Sequence, residues 1–378
     1  MNKKMIMTPG PTSIHEDVRL AMAKPITNPD LDPEFYEFYK NTAEKIGKLM
    51  NTDNEVLILS GEGILGLEAA CASLIEPGDK VLCIENGIFG RGFGDFIKMY
   101  GGECTFFSGD PRRSIDIHKL EDFLSENNDF KLATMVHCET PSGMLNSIKE
   151  ISLLLKKYNI LTVVDAVSSI GGEDVKVDDW KIDIVLGGSQ KCLSASPGLT
   201  FLSVSEDAWY SIRNRKQPII GYYCNLNIWK DWYKKKWFPY TQPISDIYGL
   251  EVAVDRLLKD DKKFKRHERI ANAVRYALTE SGIELYPKDG WSNTVTSFKT
   301  PRGIKEEEVR NYLVNNYGIM IAGAFSDLAG KVMRIGHMGE NCREEKVFMT
   351  LKCLDKALRS FGIKLKKEIH KEFINCLD

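Results

Sequence analysis

From about residue 35 to residue 205, short apolar runs alternate with stretches whose apolar residues recur at helical spacing. The runs at 56–59, 80–84, 103–107, 132–137, 161–164, 184–188 and 199–204 predict strands, and 67–74, 93–100, 117–126 and 148–157 predict helices between them. Strands that read as unbroken apolar runs, separated by helices, imply a mainly parallel sheet covered on both faces. The pattern changes after Trp209. Residues 221–243, GYYCNLNIWKDWYKKKWFPYTQP, are aromatic and loop-like. A long helical region at 247–281 follows. Then come strand-like 283–286 and 294–300, a helix at 305–315, strands near 319–322 and 331–335, and a helix at 344–360. The tail KLKKEIHKEF (364–373) reads as a solvated helical end. These patterns predict an N-terminal arm at 1–20, a large α/β domain at 21–255 and a smaller α+β C-terminal domain at 256–378.

Composition narrows the class. A chain of 378 residues exceeds what one hydrophobic core usually serves, so two domains are expected. The net charge of −2 offers no electrostatic footprint for nucleic acid or an anionic membrane. No run approaches the ~18 apolar residues of a membrane span. Met5-Ile6-Met7 is too short an apolar stretch for a signal peptide. The nine cysteines are scattered, odd in number and without a CxxC pair. They predict no metal site and no disulfide framework, and reduced thiols in a cytoplasmic protein fit best.

The stretch VLILSGEGILGLEAA (56–70) carries Gly61-x-Gly63-x-x-Gly66 after an apolar run and before a helix. Glu85 follows at about the distance of a ribose-binding acid in dinucleotide folds. An NAD-dependent oxidoreductase is therefore one reading. Two motifs downstream give a better one. LTVVDAVSSI (161–170) ends a strand with Asp165, and IDIVLGGSQKCLSASPG (182–198) ends the next with Ser189-Gln190-Lys191. Ligands in a parallel sheet gather outside the carboxyl ends of its strands. Asp165 and Lys191 would then face one crevice. That pair suits pyridoxal phosphate: the lysine amine condenses with the aldehyde, and the carboxylate keeps the pyridine nitrogen protonated. Gly61-Glu62-Gly63-Ile64 then offers a helix N-terminus to the cofactor's single phosphate.

With these motifs in place, the chain resembles the class V aminotransferases of the alanine–glyoxylate / serine–pyruvate type. The blocks that carry the resemblance are MTPGPT (7–12), SGEGILGLEAA (60–70), NGIFGRG (86–92), HCETPSG (137–143), VDAVSSIGG (164–172), GSQKCLSASPG (188–198), YTQP (240–243) and KVMRIGHMG (331–339). The resemblance implies a fold-type I enzyme with a large mainly parallel-sheet domain and a smaller α+β C-terminal domain. It implies that Lys191 bonds the cofactor, Asp165 partners the pyridine nitrogen, Phe89 stacks on the ring and Val167 packs its other face. Thr140 would lie near the ring oxygen, and Glu62, Gly63, Ile64 and Gln190 around the phosphate. Thr241 would reach the cofactor of a neighbouring subunit, making a homodimer. Arg334 would clamp the substrate carboxylate, with Gly10 of Pro9-Gly10-Pro11 at the substrate entrance. The implied reaction moves an amino group from alanine or serine to glyoxylate or pyruvate in a ping-pong cycle.

This sequence departs from that pattern in places. Glu62 stands where relatives often carry a small or hydroxyl residue, and an acid beside a phosphate is unfavourable unless it points away. Tyr222-Tyr223-Cys224-Asn225 replaces a common YYLD, and residues 27–35 also differ. Gln190 before the lysine, rather than His, disfavours the related cysteine desulfurases. Pyridoxamine–pyruvate, 2-aminoethylphosphonate–pyruvate and ureidoglycine–glyoxylate transaminases share most of the motifs and stay open, as does a non-catalytic cofactor-binding protein. The first of these takes an unphosphorylated ring, which an acid in the phosphate cup would suit.

Overall fold

The computed structural model describes residues 4–377. Its centre is a seven-stranded sheet of β1 (Glu55–Ser60), β2 (Lys80–Glu85), β3 (Glu103–Ser108), β4 (Leu132–Val136), β5 (Leu161–Asp165), β6 (Ile184–Gly188) and β7 (Leu199–Val204). The spatial order is β1-β7-β6-β5-β4-β2-β3. Strands β6, β5, β4, β2 and β3 run parallel, whereas β7 is antiparallel to both its neighbours. Strands β4, β6 and β7 are buried along their whole length, as expected where helices cover both faces. The edge strand β3 is the partly exposed one.

This order removes the dinucleotide reading. In a dinucleotide fold, the strand before the glycines pairs in parallel with the next strand of its βαβ unit. Here β1 sits at the sheet edge, paired antiparallel to β7, and β2 lies beyond β4. The glycines serve packing instead. A Cβ on Gly63 would stand 2.8 Å from Val167 Cγ2, and one on Gly66 would stand 2.5 Å from Thr200 Oγ1. Helix Gly63–Leu74 thus lies close on the sheet.

A second sheet of β8 (Val295–Lys299), β9 (Ala322–Gly323) and β10 (Val332–Gly336) has the order β8-β10-β9, all antiparallel. Two large apolar cores follow these sheets. One runs from Val18 to Leu257. The other joins Met7 to residues from Ile270 to Phe373. The N-terminal arm therefore spans both bodies. Met5–Ile6 pairs in parallel with Ile319–Met320, while helix Glu16–Met22 packs on helix Ile244–Leu258. The expectation for the arm begins at residue 1, and its first three residues lie outside the described ones.

Several expected elements differ. The helical region at 247–281 is two helices, Ile244–Leu258 and Lys263–Glu280. Between them the Asp260 carboxylate accepts from Lys262 N, a local bond that competes with helix. Residues 283–286 form no strand: Leu285 makes one bridge to Phe298, and Pro287, lacking an N–H, follows. Residues 319–322 divide between two sheets, as Ile319–Met320 and Ala322–Gly323. The tail is not merely solvated. Helix Ile369–Leu377 buries Ile369 and Phe373, four residues apart on one face, against helix Lys263–Glu280. No helix among the described residues is long and apolar enough to cross a membrane.

Candidate active site

Asp165 is the last residue of β5 and stands opposite Val136 of β4 and Leu186 of β6. Beyond β6 the chain folds into a tight turn, closed by Ser194 N–H donating to Lys191 O at 3.0 Å and Ala195 N–H to Ser189 O at 2.9 Å. That turn aims Lys191 back over the strand ends. Asp165 and Lys191 line one crevice of about 220 Å³. The same crevice is lined by Gly10, Glu62, Gly63, Ile64, Phe89, Thr140, Val167 and Gln190. Ten of the twelve residues expected at the site are thus brought together.

The charges in the crevice oppose one another. Asp165 is buried and its Oδ1 accepts from Val167 N at 2.8 Å. Burial pushes its carboxyl up to about 6; the Lys191 charge pulls the other way, while Glu62 adds to the rise. Burial lowers the Lys191 pKa, and the Arg334 charge lowers it further against the pull of Asp165. Lys191 Nζ donates to Pro9 O at 2.8 Å. The lysine stem lies on Gly10, where a Cβ would stand 2.5 Å from Lys191 Cδ and 2.7 Å from Nζ. Gly10 also has φ of +112°, a conformation that favours glycine.

Arg334 and Thr241 lie outside that lining. Arg334, on β10, is buried opposite Ser297 and Ala322. Its Nε donates to Gly323 O at 2.6 Å and its Nη1 to Thr140 O at 3.3 Å, which places the guanidinium next to the crevice wall. A guanidinium has five N–H donors, so three remain. Burial lowers its pKa to about 10, leaving it charged at neutral pH. Thr241 is exposed at the surface of its own chain.

Sequence reading missed other residues of the site. Ser168 lines the crevice, its hydroxyl bonded to that of Thr140. Leu67 and Pro197 line it too. Glu139 accepts from Phe89 N at 3.2 Å and Gly90 N at 2.6 Å. It thereby caps helix Ile88–Met99, whose N-cap Gly87 has no side chain to do so, and holds Phe89 in place. Burial pushes the Glu139 carboxyl up to about 7. Its place in the HCETPSG block, directly before Thr140, is the signal the sequence offers. Glu85 is engaged within the protein, with Oε1 accepting from Ser108 Oγ at 2.6 Å and Arg91 Nη2 at 3.2 Å.

The two ends of pyridoxal phosphate meet different conditions here. For the ring, the crevice offers an amine, a buried carboxyl, apolar Phe89 and Val167, and the Thr140–Ser168 hydroxyls, a set that fits. At the phosphate end two donors are already in use. Glu62 caps helix Gly63–Leu74, with Oε1 accepting from Ile64 N at 3.2 Å, and its Oε2 accepts from Gln190 Nε2 at 3.2 Å. A phosphate fits only when this carboxylate turns away, and Glu62 is exposed enough to do so.

Comparison with known proteins agrees with this geometry. Residues 22–350 match the model of the family described as Aminotransferase class-V. An uncharacterized aminotransferase of Methanocaldococcus jannaschii is 40% identical over 98% of this chain and 98% of its own. The pyridoxamine–pyruvate transaminase of Mesorhizobium japonicum is 34% identical over 95% of this chain and 92% of its own. The crystal structure of ureidoglycine–glyoxylate aminotransferase from Bacillus subtilis superposes with a TM-score of 0.95 at 31% identity, covering 100% of this chain and 98% of that one. A buried lysine–aspartate crevice at the strand ends of this sheet, in a chain matched almost end to end, leads to one conclusion: the protein belongs to the class V aminotransferases, enzymes of fold type I that depend on pyridoxal phosphate.

Proposed function

We propose that the protein carries an amino group from a small amino acid, alanine or serine, to a small 2-oxo acid, glyoxylate or pyruvate. The observation that carries this reading is the meeting of Lys191 and Asp165 in one crevice beside the Arg334 guanidinium. When bound, pyridoxal phosphate supplies an electron-withdrawing ring that holds the amino group between half-reactions. Lys191 takes the α-proton of the donor on Nζ and returns it later, as base and then acid; its lowered pKa favours the free amine this requires. Asp165 would partner the ring nitrogen and keep it protonated. Arg334 receives the α-carboxylate that donor and acceptor share, on the N–H groups it does not use internally. Alanine and glyoxylate, followed by pyruvate formation, test the reading. Turnover that vanishes in Lys191→Ala supports it, and turnover that survives in that variant rejects it.

A second reading concerns the donor, and one observation favours it. Glu62 already occupies the anion-binding end of the crevice. A ring without a phosphate, arriving as pyridoxamine, would leave that bond intact. Pyridoxamine offered with pyruvate separates the two: transfer from pyridoxamine but not from alanine to glyoxylate selects the second.

The homodimer belongs to the same reading. Thr241 is exposed, and Ile220, Tyr222, Tyr223 and Trp237 of the preceding stretch are large, apolar and exposed. Such a surface suits a partner subunit better than solvent. We also assign the large domain to 21–255 and the small one to 256–378, supported by cores that divide between Leu257 and Ile270. A cytoplasmic setting suits the nine free cysteines.

A further inference from the structure

Arg334 is held by the backbone of Gly323, and two residues on, Phe325 turns its ring back over the guanidinium. The Phe325 centroid lies 5.7 Å from Arg334 Cζ. The same ring meets Phe89 edge-on, with centroids 5.9 Å apart and planes at 74°. Phe325 therefore joins the residue beside the crevice ring site to the arginine expected to hold the carboxylate. The ring is 43% exposed. A substrate with its carboxylate on Arg334 would lay its side chain against this aromatic wall.

Among the described residues, the two arginines near that wall are already paired. Arg310 is paired with Glu306, whose carboxylate packs against Gly323. Arg91 is paired with Glu85. Asp327 lines a neighbouring cavity of about 480 Å³ with Asp95 and Glu139, so the excess there is acidic. A second carboxylate or a phosphonate on the substrate would meet a phenyl ring, acids of like charge and arginines that are already paired.

We infer that Phe325 is a specificity-determining residue. It restricts the amino acid and 2-oxo acid at this site to molecules with one carboxylate and an uncharged side chain, and it rejects dicarboxylates and phosphonates. This inference rests on the transaminase reading above and narrows its substrate class.

The test uses the cofactor-loaded protein and compares kcat/KM for alanine and aspartate as amino donors. The wild type should prefer alanine by about a hundredfold or more, the range a site with no partner for a charged group produces. Phe325→Arg should raise the aspartate-to-alanine ratio by about tenfold or more, carried by a lower KM for aspartate, because it adds a forked donor for the second carboxylate. Phe325→Leu should leave that ratio within about threefold, since it adds no charge. A wild type that uses aspartate as well as alanine overturns the inference. So does a Phe325→Arg ratio that stays within about twofold. A wild type inactive with alanine, with aspartate and with pyridoxamine overturns the transaminase reading instead, and this inference with it.

Discussion

Lys191 reaches the crevice only because the residue beneath its stem has no side chain. A methyl group on Gly10 would collide with three atoms of the lysine and require a backbone with φ of +112°. Gly10→Ala should therefore cost about 1–3 kcal/mol of stability and displace Lys191. The checks are thermal unfolding together with the visible absorbance of the cofactor-loaded protein, which should weaken. Arg334 acts in two ways. In the proposed reaction it offers a fork to the substrate, and its charge helps keep Lys191 less basic. Hydrogen bonds to charged groups contribute about 1.5–3 kcal/mol, so Arg334→Ala should lower kcat/KM for both substrates by about ten- to a hundredfold or more. Arg334→Lys should recover only part. Removing the positive neighbour makes protonated Lys191 less unfavourable. The acidic limb of the pH–rate profile should then move to higher pH in Arg334→Ala. An unmoved limb would separate Arg334 from Lys191.

Elements were legible where one residue pattern met one environment. The seven central strands appear close to their expected limits; those inside the sheet are covered by helices on both faces and their apolar runs are unbroken. Expectation was incomplete where an element's partner came from far along the chain. Ile319–Met320 pairs with the N-terminal arm, and the basic tail hides Ile369 and Phe373 beneath a polar surface. The site divides similarly. Asp165, Lys191 and the glycine turn stand at strand ends and announce themselves. Phe325 sits in an irregular loop, and its proposed role depends on a guanidinium that only the fold brings near. Glu139 was hidden for another reason: its work is to cap the helix that carries Phe89. That cap has a pH signature. Burial raises the Glu139 carboxyl to about 7 in the folded protein, above its ordinary value. The folded state then binds a proton that the unfolded state has lost, so stability rises as pH falls through about 7 toward the ordinary carboxyl range. Glu139→Gln lacks this term. The stability of the variant relative to wild type should decline as pH falls from about 7 to about 5, as read by denaturant unfolding at each pH. A constant difference would remove Glu139 as the titrating group.

At the scale of the whole molecule, the N-terminal arm ties the site to both bodies. It adds a strand beside Ile319–Met320, crosses Lys191 at Pro9 and Gly10, and bonds Thr12 N–H to Gln190 O at 3.0 Å before its helix docks on the large body. The site is thus assembled from the arm and both bodies. A second copy completes it in the proposed dimer. Sedimentation should show a dimer, and dilution below its dissociation range should abolish activity; a fully active monomer would remove Thr241 from the account. The central claim is that Lys191 is the lysine joined to the cofactor in the crevice it shares with Asp165. Borohydride reduction of the cofactor-loaded protein, followed by peptide mapping, tests it most directly. The pyridoxyl label should fall on the peptide that contains Lys191 and be absent in Lys191→Ala, whereas a label on any other lysine of the wild type would contradict this assignment.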